Sequence, residues 1–218
     1  STDTAPAAWF RNGVVISNNP SGVQVDNTSM VIGAGNNDNV TGSDHCLIVG
    51  SGNQITSNAD QSVASGQGNS ITNSTDAFAV GNSNTVSNSL RTLVLGYNND
   101  VSSASSFVAG GENSVGAGNT NIILGYNNND GGGSTNNLAF GNSVTVLGQQ
   151  MVLGYRNDST SYPSQDIQNG LSEVKFVVAT GASNTTNSNA LLITAGGKTG
   201  GNPAVPQIPR IILPTVVN

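Results

Sequence analysis

Short apolar runs alternate with glycine- and asparagine-rich stretches along most of this 218-residue chain. The runs MVI, LIV, SVAS, FAV, LVL, FVA, IIL, LAF and MVL each end on a glycine: Gly33, Gly50, Gly66, Gly81, Gly96, Gly110, Gly125, Gly141 and Gly154. Their spacings of 17, 16, 15, 15, 14, 15, 16 and 13 residues define a unit of about 15 residues, repeated nine times over residues 29–160. A second aliphatic residue follows five positions after most of these glycines, at Ile55, Ile71, Val86, Val101, Val115 and Val146. After the first it follows seven positions on, at Val40. Asparagine falls three positions after the glycine at Asn53, Asn69, Asn84, Asn99 and Asn113.

A unit this short cannot hold a helical hairpin, and its glycine and asparagine disfavour helix. An apolar run of three or four residues bounded by turn formers reads as a short strand. Each unit is therefore predicted to be one coil of an all-β parallel β-roll or β-solenoid, with two short strands and turns between them. About nine coils of 14–16 residues would stack at the inter-strand spacing of about 4.8 Å, pairing their backbone groups in ladders.

Within a triplet, alternate side chains face opposite ways. Leu47 and Val49 oppose Ile48, Leu93 and Leu95 oppose Val94, and Ile122 and Leu124 oppose Ile123. Both faces are apolar, as in a strand buried on both sides, yet a thin coil has one interior. Lateral association of identical rods is the simplest cover for the second face. Ile48, Val94, Ile123 and Val152 are the expected packing residues, in the core or at a subunit contact.

The pattern of three aliphatic residues and a glycine, with a small polar residue three on and a small aliphatic five on, resembles the head repeats of YadA-like trimeric adhesins, as also found in phage tail-fibre, spike and head-fibre proteins. The resemblance covers about 130 residues, with Asn in place of the usual Ser and Val or Ile in place of the usual Ala. It implies a left-handed parallel β-roll assembled as a homotrimer. The segment Phe176–Gly197, FVVATGASNTTNSNALLITAGG, is similar to a stretch that follows such repeats in phage tail-fibre and spike proteins.

The ends differ from the middle. Residues 1–28 hold Trp9 and Phe10 outside the repeat and read as an N-terminal attachment or cap segment, since stacked coils need protected ends. Residues 161–218 read as a C-terminal cap and a proline-rich tail. Prolines at 203, 206, 209 and 214 exclude a regular helix or central strand there, so an extended tail anchored by Ile211, Ile212 and Leu213 is expected to wrap its neighbours.

Only 8% of residues are charged, while 32 are asparagine, able to solvate turns without charge. The single Cys46 excludes an intrachain disulfide. A net charge of −6 with six basic residues gives no basis for nucleic-acid binding. No run approaches the 18 apolar residues of a membrane span, and the first residues lack a basic-then-apolar signal. The expected location is the virion surface, as a bacteriophage spike, fibre or head-fibre component that mediates host attachment and contacts other virion proteins through the N-terminal segment or the tail. The alternatives are a purely structural virion decoration or assembly protein, and a secreted bacterial adhesin fragment.

Enzymatic chemistry finds little support. His45 is the single histidine, and the chain has no nucleophile elbow, phosphate loop or zinc spacing. Two other patterns bear on binding. Asp44, Asp60 and Asp76 each fall ten or eleven residues after a glycine, so a stacked ladder of carboxylates could hold calcium, or could simply be solvated at turns. No other cofactor is indicated. Tyr97, Tyr126 and Tyr155 each follow a glycine and lie 29 residues apart, two coils each time, which predicts one edge with neighbours about 10 Å apart. Such rings, flanked by Asn and Asp, suit stacking on a host-surface glycan. The preferred reading is that they seal the rim of the core or pack on the next subunit.

Overall fold

A computed structural model describes residues 14–17, 29–33, 38–130, 135–146, 150–156, 172–180, 189–196 and 210–212. It is all-β, with about eight turns of parallel β-solenoid and no helix among the described residues. The glycine spacing predicts about nine coils, close to this number. Two compact units divide the chain, Ser1–Arg91 and Thr92–Asn218.

In the first unit the strands are Val14–Ser17 (β1), Met30–Gly33 (β2), Asn39–Thr41 (β3), Leu47–Ser51 (β4), Gln54–Thr56 (β5), Val63–Gln67 (β6), Ser70–Thr72 (β7), Phe78–Asn82 (β8) and Thr85–Ser87 (β9). The apolar strands pair in parallel in the order β1-β2-β4-β6-β8, and the shorter ones in the order β3-β5-β7-β9. Thus Val14–Ser17, in the segment read as a cap, adds a rung to the repeat. Trp9 and Phe10 lie outside the described residues.

The second unit holds Leu93–Tyr97 (β10), Asp100–Val101 (β11), Phe107–Gly111 (β12), Ser114–Val115 (β13), Ile122–Tyr126 (β14), Leu138–Asn142 (β15), Met151–Tyr155 (β16), Ser172–Thr180 (β17), Asn189–Gly196 (β18) and Arg210–Ile212 (β19). Parallel pairing runs from β10 through β12, β14, β15 and β16 to β17. There the pattern changes. β18 pairs antiparallel with β17, and β19 antiparallel with β18, so the coil stack gives way to a meander. Ile211, an expected tail anchor, lies in β19 and is 68% exposed. Leu213 and the four tail prolines lie outside the described residues.

Register explains the repeat. The middle residues of the triplets stack directly, Val31 on Ile48, Ala64 and Ala79 in the first unit. Val94, Val108, Ile123, Ala139, Val152 and Val177 do so in the second. All are fully buried within the single chain, so Ile48, Val94, Ile123 and Val152 belong to the coil core. The second aliphatic sites, Val40, Ile55, Ile71 and Val86, then Val101, Val115 and Val146, close the core from the other side.

The recurring glycine is a steric requirement. At Gly66 and Gly110 φ is +113° and +118°, and an added Cβ would lie 2.0 Å and 1.8 Å from the carbonyl oxygen of the glycine one coil on. No side chain fits between coils at that spacing. Corners use the left-handed conformation at residues such as Asn73, Asn88, Asn98 and Asn127, where asparagine's tolerance of positive φ lowers the strain.

Asparagine also has a second role, inside the coil. Asn53, Asn69 and Asn84, then Asn99, Asn113 and Asn128, are almost completely buried. The Asn69 amide nitrogen donates to Asn53 Oδ1 at 2.9 Å and to the Gly81 carbonyl at 3.0 Å. The Asn69 backbone N–H reaches the same Asn53 oxygen at 3.0 Å. Asn113 repeats this with Asn99 Oδ1 and the Gly125 carbonyl. An amide carries both a donor and an acceptor, so one side chain bonds the coil before and the coil after. A hydroxyl corner works alongside: Ser62 Oγ accepts from the Ala77 N–H, and Ser74 Oγ from that of Ser89.

Candidate surface-binding site

Three apolar strands, β10, β14 and β16, run past their glycine and end on Tyr97, Tyr126 and Tyr155. Tyr97 and Tyr126 flank Gly111 in the register of β10, β12 and β14. Their ring centroids are 6.4 Å apart with planes inclined by 40°. That is closer than two rungs of backbone, because the Tyr97 ring folds across the intervening strand. Gly111 permits this, since a Cβ there would lie 2.5 Å from Tyr97 Cε1. The rings cover Gly111 and leave Tyr97 47% and Tyr126 38% exposed.

Polar groups frame the pair. Tyr126 Oη donates to Glu112 Oε2 at 2.6 Å, a charge-assisted bond that holds the phenol pKa above its ordinary value. Asn98 and Asn127 follow the two tyrosines on the corner, both exposed and both in the left-handed conformation. Tyr155 continues the line with Asn142 between it and Tyr126, but differs in surroundings. The Arg156 guanidinium carbon stands 5.6 Å from its ring centroid, and Arg156 Nε donates to its hydroxyl at 3.2 Å. The structure therefore brings two of the three tyrosines together and engages the third with a cation.

The aspartate ladder does not form as the spacing suggested. Gln61 N–H bonds to the Asp44 carbonyl, Asp76 N–H to that of Asp60, and Arg91 N–H to that of Thr75. This register stacks Asp76 with Gln61 and Arg91, one residue out of line with Asp44 and Asp60. Counting forward from the preceding glycine misses the shift because the coils differ in length. Asp60 Oδ1 instead accepts from the Asp44 backbone N–H at 2.7 Å. Among the described residues, no three His, Cys, Asp or Glu side chains gather as a metal set.

Two buried acids went unnoticed in the spacing. Asp130 falls five after Gly125, where other coils place an aliphatic residue, and it is fully buried in the second unit. Its Oδ1 accepts from the Gly116 N–H at 2.9 Å, and its Oδ2 faces the Asn121 amide at 3.4 Å. The gap in the aliphatic series was the signal. Asp38 is the other, at the head of the asparagine column of the first unit. Cys46 is buried, and that burial pushes its thiol pKa up.

Comparison with protein-family models, with curated proteins and with solved structures finds no match to the chain.

Proposed function

We propose that the chain is the β-solenoid body of a homotrimeric virion spike, fibre or head fibre that contacts the host surface. The observation that carries this reading is the outer face of the apolar strands. In the first unit Phe78 and Val80 stand 43% and 37% exposed beside the half-buried Leu47, Val49 and Val63. In the second unit Leu93, Ile122 and Phe140 are similarly exposed, with the half-buried Leu95, Leu124 and Leu153 on the same strands or the next one. The coil core is already closed without these side chains. An apolar column outside a complete core, present in each unit, is the kind of surface that another molecule covers. Identical strips of this kind suit packing around a threefold axis.

Host contact then falls to the tyrosine edge. The exposed faces of Tyr97 and Tyr126 stack on the C–H face of a pyranose, while the Asn98 and Asn127 amides pair with hydroxyls. A purely structural role is the second reading, favoured by the Tyr126–Glu112 and Tyr155–Arg156 contacts, which tie two of the rings to their own chain. A glycan array probed with the intact chain and with Tyr97→Ala decides between them. Binding that Tyr97→Ala removes, with an unchanged melting curve, supports attachment. An array without binding leaves a scaffold.

A further inference from the structure

We propose that Asp38 is a proton-binding latch: a buried carboxylic acid that keeps its proton in the folded chain and uses it to join the first coil to the second. The repeat itself supplies the comparison. In the next coil the Asn53 amide nitrogen lies 3.1 Å from the position a Cβ on Gly50 would take, and it donates to the Gly66 carbonyl at 2.9 Å. In the second unit the Asn128 nitrogen holds the same place beside Gly125 and donates to the Gly141 carbonyl at 3.0 Å. This slot belongs to a donor facing the carbonyl of the following glycine.

Asp38 fills the slot with oxygen. Its Oδ1 accepts from the Asn53 N–H at 2.8 Å, as the Asn53 and Asn69 oxygens accept from the backbone N–H one coil on. Its Oδ2 lies 2.3 Å from the Cβ position of Gly33, and the Gly50 carbonyl oxygen lies 2.4 Å from that same point. Asp38 Oδ2 is fully buried and has no hydrogen-bond partner among the described residues. An ionised carboxylate would set a bare negative oxygen beside a carbonyl oxygen. The neutral acid turns the same atom into an O–H donor and restores the contact that asparagine makes elsewhere.

Burial raises the Asp38 pKa, opposed by its bonds from Asn53. The strands around it, Met30–Gly33, Asn39–Thr41, Leu47–Ser51 and Gln54–Thr56, carry no ionisable side chain that could shift it otherwise. The sign of the linkage follows. The folded chain binds this proton more tightly than the unfolded chain does. Its contribution to stability is complete below the ordinary aspartate pKa and is lost as pH rises toward the folded pKa.

The test pairs Asp38→Asn with a carboxyl ¹³C titration of the unsubstituted chain. The amide variant supplies the missing donor at every pH. Its melting temperature should exceed that of the parent by a margin that grows from acid to neutral pH, and the Asp38 carboxyl should titrate above the ordinary carboxylate range. A margin independent of pH, or a carboxyl that titrates in the ordinary range while the coil stays folded, overturns the proposal. Should Asp38→Asn fail to fold, the titration of the parent chain decides alone.

Discussion

Ile123 and Leu124 are neighbours in the chain and nearly equal in size, yet they meet opposite requirements. Ile123 points into the coil, is fully buried, and stacks between Val108 and Ala139. Leu124 points outward, half-buried, between Ala109 and Phe140. Inside, every residue of this line is aliphatic and enclosed by the coils above and below, whether as large as Ile123 or as small as Ala139. Outside, polar and apolar residues share one line, as Ser65 does with the exposed Val80. The interior is specified by stacking within one chain. The exterior is under no such constraint from its own chain.

Substituting the two sides separately sharpens that contrast. Ile123→Asp places a charge in a closed core and should destabilise the chain by about 3–5 kcal/mol, read as loss of the folded signal in circular dichroism. Asn113→Ala strikes the polar part of the same interior. It removes one of the two donors to Asn99 Oδ1 and the amide donor to the Gly125 carbonyl, leaves the Asn128 N–H without its acceptor, and should cost about 2–4 kcal/mol in denaturant unfolding. Leu124→Asp should shift the stability of an isolated chain by no more than about 1 kcal/mol. The same change should abolish association, so concentration-dependent melting separates its two effects. Tyr126→Ala removes a ring that is already 38% exposed and should cost less than about 1 kcal/mol. Excess chelator should leave the melting temperature unmoved, since the carboxylates of Asp44, Asp60 and Asp76 do not converge.

Much of the interior was legible in the sequence, because each feature repeats with the coil. The glycine, the triplet and the asparagine recur at intervals close to the true register, and a strand with its inward middle residue follows from them. Insertions hid the rest. The coil from Gly50 to Gly66 is one residue longer than the next, enough to move Asp76 off the line of Asp44 and Asp60. The asparagines read as turn formers, and their burial could not be seen, because turn and ladder ask for the same residue. Only the register shows Asn69 and Asn113 bonding neighbouring coils. The tyrosine spacing was correct along the backbone. The closeness of Tyr97 and Tyr126 depends on Gly111, whose meaning appears once the two strands are laid side by side. The antiparallel turn to β18 and β19 breaks the repeat, and periodicity says nothing about where a period stops.

The outer face of the apolar strands stays partly exposed in a single chain. Sedimentation equilibrium on the intact chain at micromolar concentration measures its cover directly. A species with three times the 21.9 kDa of one chain, reduced to single chains by Leu124→Asp, is the predicted result. A stable monomer of 21.9 kDa, folded with its apolar column bare to water, would contradict it.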